Sequence, residues 1–226
     1  MNFTRSKRFT VTALVFSAVI AGNAGATGLL TFGFAGEVRN QITEPIPGLL
    51  IGDTFSGSYT FDPLTPGVAP NPPESSLVFE YWAVTSWSIT LQSSGVTFGG
   101  TVGKIAVGND TGSPFPTDRY KVTLFPDVVS PLVLGGFEFT QFYFDLQVDV
   151  DYDGQMLQDD SLPTTPPPLA LDRTIPRSGR FVFDGSSARF LLDSLTAVPE
   201  PSTATLCLVA GILFGLSRAA SGHRNT

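Results

Sequence analysis

The sequence predicts an all-β, antiparallel body, a jelly-roll-like β-sandwich, with a closed barrel as the alternative. Three observations lead there. Short β-branched and aromatic segments recur along the chain, and clusters of Gly, Pro, Asn and Asp separate them. Between the two ends, no segment sustains a helical period over three turns.

The strand segments, in order, are 30–38, 54–61, 84–91, 95–98, 101–107, 120–125, 137–150, 180–183 and 188–195. Most alternate in polarity, the period of a strand with one face buried. Gln92-Ser93-Ser94-Gly95 reads as a hairpin turn between the third and fourth. In the longest segment, Phe142, Phe144, Leu146, Val148, Val150 and Tyr152 share one face and are expected in the core. Tyr143, Asp145, Gln147, Asp149, Asp151 and Asp153 share the other and face water. Upstream, Phe137 and Phe139 are apolar on the opposite parity, so a bulge is expected near Thr140-Gln141. Residues 62–74 and 161–170 are too rich in proline to join a ladder and read as rigid surface connectors.

The ends follow a different logic and divide the chain into residues 1–26, 27–197 and 198–226. Arg5, Lys7 and Arg8 precede an apolar run over 11–21, and Ala24-Gly25-Ala26 supplies a small-residue exit. That order is a secretory signal peptide cut by signal peptidase. At the other end, Val198-Pro199-Glu200-Pro201-Ser202 leads into an apolar or small stretch over 203–217, followed by Arg218, His223 and Arg224. As a helix that stretch is ~22 Å long, against a hydrocarbon layer of ~30 Å. It inserts with local thinning or snorkelling by Arg218, its basic tail on the cytoplasmic side. The body is then expected outside.

Charge and residue usage narrow the function. Residues 27–197 carry 19 acids against the 8 bases Arg39, Lys104, Arg119, Lys121, Arg173, Arg177, Arg180 and Arg189, a net of −11. Such a body repels nucleic-acid phosphates, and no nucleic-acid partner is expected. Cys207 and His223 are the sole cysteine and histidine, and both lie past the body. The body therefore offers no disulfide, no Ser-His or Cys-His pair and no His/Cys zinc site, and the chain is not read as an enzyme.

Two constellations point to binding. Asp149, Asp151 and Asp153 precede Gly154, and Asp160 stands at the twelfth position, the oxygen-ligand spacing of a calcium loop. The competing reading is an exposed strand face running into an Asp-Gly turn. Trp82 and Trp87 are candidate sugar-stacking platforms. Their odd separation puts them on opposite faces of a regular strand, so at most one is a surface platform and the other is core.

Val198-Pro199-Glu200-Pro201-Ser202, the short apolar stretch and Arg218 together resemble a PEP-CTERM sorting signal. The resemblance implies recognition by exosortase, a membrane enzyme that removes the anchor near the Pro-Glu-Pro. It also implies a place in the cell envelope, at the cell surface or in the medium, in bacteria that make exopolysaccharide. The tail past Arg218 is longer than is usual for this signal. Within the body, 56–63, 107–110, 118–122 and 160–163 resemble, in this order, segments of a group of PEP-CTERM proteins. That likeness implies a shared β fold and carries no established biochemical activity. The reading is an exported, exosortase-sorted protein of structural or interaction type. The alternative is a carbohydrate-binding module for exopolysaccharide, with calcium stabilisation open to either.

Overall fold

The computed structural model describes residues 28–41, 44–69, 78–111, 117–127, 132–149, 156–169 and 177–199. The expected signal peptide, 1–26, and the apolar stretch over 203–217 lie outside the described residues. Ten strands form among the described residues: β1 (Leu30–Gln41), β2 (Thr54–Phe61), β3 (Phe79–Leu91), β4 (Thr97–Gly100), β5 (Val102–Thr111), β6 (Thr117–Phe125), β7 (Val133–Leu134), β8 (Phe137–Asp149), β9 (Ser178–Phe183) and β10 (Ser186–Ala197).

Every pairing between these strands is antiparallel, and the chain of pairings closes on itself. β1 pairs β2, β2 pairs β3, and the order continues through β5, β6, β8, β9 and β10 back to β1. The body is a closed eight-stranded barrel that winds up and down in sequence order. The expected jelly-roll-like sandwich is thereby corrected. A sandwich keeps two sheets with free edges, whereas here Phe32 opposite Ala197 through Gln41 opposite Ala188 seals first strand to last. β4 continues the line of β5 across a break at Thr101, and β7 is a short addition to β8.

The alternating pattern sorts inside from outside. Phe32, Phe34, Phe55, Tyr59, Phe61, Tyr120, Phe142, Phe144, Phe181 and Phe190 are buried within the barrel. Outward positions of β2 and β3 carry Ser56, Ser58, Thr60, Ser86, Ser88 and Thr90. That is the inverse of a barrel that faces lipid. Phe142 lies flat on Phe190, with ring centroids 4.8 Å apart and planes 7° apart, and meets Phe34 at 5.3 Å and Phe181 at 5.0 Å. Each buried phenylalanine contributes about 1.5–3 kcal/mol relative to exposure. An eight-stranded barrel has room for side chains or one small ligand; here rings occupy its centre.

Those rings need space on the neighbouring strand. At Gly57 a Cβ would come within 2.6 Å of Phe34 Cζ and 2.5 Å of the Ser88 carbonyl oxygen. Bare backbone there lets the ring cross the strand. Curvature comes from bulges. β8 slips register between Phe139 and Gln141, where the parity flip predicts it. β3 carries an extra residue against β5 between Tyr81 and Val84, and another against β2 just beyond Val84. The pair restores parity, so Tyr81 and Trp87 both face inward.

The strand directions place the start of the first strand and the end of the last together. β1 starts and β10 finishes at one rim, and the β2–β3, β5–β6 and β8–β9 connections leave from that same rim. The opposite rim carries the Gln92–Gly95 turn and the tight Asp184-Gly185 reversal between β9 and β10.

Candidate functional site

Three places on the barrel are candidates for function: the strand end that meets Val198-Pro199, the clasp under the 156–169 loop, and the outer face around Trp82.

The last strand ends where the motif begins. Val198 donates its N–H to the Thr31 carbonyl at 2.9 Å, and its Cγ2 lies 3.1 Å from where a Cβ would stand on Gly33. Pro199 has no N–H to donate, so the ladder stops for a chemical reason. Glu200, Pro201, Ser202 and Arg218 lie outside the described residues.

On the same rim, the loop over 156–169 is tied to the barrel by a buried carboxylate. Asp118 faces inward on β6 and is fully buried. Its Oδ2 accepts the Met156 N–H at 2.6 Å and the Leu157 N–H at 2.7 Å. In the amide orientation that satisfies its neighbours, Asn109 donates to Asp118 Oδ1 at 3.2 Å and to the Leu157 carbonyl at 2.9 Å. Asp160 Oδ1 accepts the Asn109 N–H at 2.7 Å, while the Tyr81 hydroxyl donates to the Asp160 carbonyl. Burial pushes the Tyr81 phenol up, and the charges of Asp160 and Asp159 push the same way. Above the clasp the loop curls around a hollow of about 310 Å³ lined by Met156, Asp159, Leu162, Pro163 and Pro166. The expected proline crossing is thus a folded loop.

The calcium reading meets this loop only at Asp160, whose carboxylate is engaged by Asn109. Asp151, Asp153 and the Asp149 side chain lie outside the described residues. Asp118 escaped the sequence reading, although its parity with Tyr120, Val122 and Leu124 marked it as an inward carboxylate.

Trp82 and Trp87 fall on opposite sides of the barrel wall. Trp87 is 5% exposed and donates its indole N–H to the carbonyls of Val102 and Phe125, each at 3.1 Å. It is the core member of the pair. Trp82 is 57% exposed, stacked on Phe125 with centroids 6.0 Å apart and planes 19° apart. Lys104 Nζ lies 5.6 Å from its ring centre and pairs with Glu80 at 2.7 Å. The neighbouring outward residues continue the theme. Lys121 Nζ sits 4.8 Å over the Tyr143 ring, and Arg119 grips Asp145 through Nε and Nη2.

No protein-family model, curated protein or solved structure matches this chain.

Proposed function

We propose that this chain is an exported bacterial protein that exosortase sorts to the cell envelope or surface, with a barrel that serves as a non-catalytic structural or interaction body. The observation that carries the reading is the position of the motif. The barrel's closing strand ends at Ala197, Val198 makes the last ladder bond, and the two prolines follow at once. Every strand among the described residues lies on the N-terminal side of the motif, so a cut near Pro199–Pro201 leaves the barrel whole. Gly28 and Pro199, the described residues nearest the two signals, follow from the start of β1 and the end of β10 at the same rim. A body held at this rim turns the Asp184-Gly185 rim away from the membrane.

The absence of His and Cys from residues 27–197 supports a body without nucleophilic catalysis. Fractionation tests the sorting. Wild-type protein is expected in the surface or secreted fraction, and a Pro199→Ala/Pro201→Ala variant in the inner membrane. Identical distribution of the two sinks the sorting reading.

A second reading, contact with exopolysaccharide, is favoured by exposed Trp82 backed by Phe125. Its test is retention of the protein on polysaccharide and loss of that retention in Trp82→Ala.

A further inference from the structure

The outward face around Trp82 belongs to a row that crosses the barrel wall. Trp82 meets Lys104 on β5, and Lys104 stands opposite Thr123 on β6. Thr123 stands opposite Tyr143 on β8, Tyr143 opposite Arg180 on β9, and Arg180 opposite Arg189 on β10. Strands lie ~4.8 Å apart, so the row runs for ~24 Å along the surface. Lys121 and Arg119 flank it on β6, and Val102 and Phe125 flank it on the other side.

The row is cationic on a body whose net charge is −11. Lys104 and Arg119 have acidic partners in Glu80 and Asp145. Lys121, Arg180 and Arg189 form no ion pair among the described residues. Burial holds the Lys121 ammonium below its ordinary range; Arg119 and Lys104 deepen that effect, while Asp145 and Glu80 oppose it. A further negative charge placed there relieves the cost.

We propose that this outer belt binds an acidic polysaccharide, with a sugar ring on Trp82 and sugar carboxylates on Lys121, Arg180 and Arg189. The inference rests on the glycan-contact reading of Trp82 and is independent of sorting. Aromatic surface suits the apolar face of a sugar, and the Tyr143 phenol lies between the cations for its hydroxyls. Lys121 on β6 stands two strands from Arg180 on β9, and Arg180 one strand from Arg189 on β10, which suits a polymer with charge on its individual sugar units. Duplex DNA, with a charge every ~1.7 Å, meets the repulsion of the whole acidic body.

Affinity electrophoresis of the full-length protein through gels containing polygalacturonate or dextran tests the proposal, with duplex DNA and anionic lipid vesicles as parallel probes. Retardation by polygalacturonate that weakens with added salt is expected, with little effect of dextran. Trp82→Ala and Lys121→Gln/Arg180→Gln are each expected to weaken it about tenfold or more. Arg189→Gln, at an exposed position, serves as the second cation variant if the double variant does not fold. Retardation by dextran alone, dependent on Trp82, overturns the acidic ligand and leaves the glycan-contact reading standing. No retardation in either gel overturns both, and equal affinity for DNA or vesicles overturns the polysaccharide assignment.

Discussion

Tyr59 and Tyr120 join their hydroxyls at 2.7 Å inside the barrel, across the space between two strands that do not pair. Both side chains are fully buried, Tyr59 on β2 and Tyr120 on β6. Each hydroxyl is the other's answer to desolvation. Replacing either alone with phenylalanine strands one buried hydroxyl and is expected to cost about 1–3 kcal/mol. The double Tyr59→Phe/Tyr120→Phe variant is expected to lose less than the sum of the singles. Urea unfolding of all four proteins measures the coupling, and additive losses would contradict the pairing.

The same pair predicts alkaline sensitivity. Burial raises the Tyr59 phenol, with the Tyr120 charge and hydrogen bond adding to it; burial likewise raises Tyr120, against the hydrogen bond from Tyr59. An acid whose folded pKa is raised keeps its proton while the unfolded chain releases it. Stability is therefore fully present below the unfolded tyrosine value of about 10 and falls as pH climbs above it. The steepest slope is about 2.7 kcal/mol per pH unit for two such groups. Unfolding measured from pH 8 to 12 is expected to decline past pH 10 in the wild type, and less steeply in the double phenylalanine variant.

Gly57 should tolerate no side chain. Gly57→Ala drives a Cβ into the Phe34 ring and the Ser88 carbonyl, and a loss of roughly 3 kcal/mol or more is expected. Gly52 has φ of 91° but open space around it, so Gly52→Ala carries backbone strain alone, about 1 kcal/mol. Thermal melts of the two variants check the ranking.

Asp118→Ala removes the acceptor for the Met156 and Leu157 amides and is expected to cost about 2 kcal/mol or more. The local signature is sharper than the global one. Hydrogen exchange should accelerate at those two amides, and proteolysis should move into 156–169, with Asp118→Asn intermediate. Unchanged protection at both amides would mean that the clasp does not hold the loop.

The strands were legible in the sequence because period-two alternation needs no knowledge of the partner. The bulge beside Thr140 and the Gln92–Gly95 turn were legible for the same local reason. Closure was not. A hairpin-linked strand reads alike in a sandwich and in a barrel, and the pairing of β1 with β10 joins residues 147 to 165 positions apart. The first residues of β3 escaped because its two bulges break the alternation around Trp82. The outer belt escaped too: Lys104, Tyr143, Arg180 and Arg189 become neighbours only through register, and each is an unremarkable outward residue on its own strand.

The intact mass of the protein recovered from the cell surface or medium tests the central claim most directly. A mature chain beginning near Thr27 and ending close to Pro199–Pro201, with the barrel complete through Ala197, is the predicted result. A mass that runs through Thr226 contradicts it.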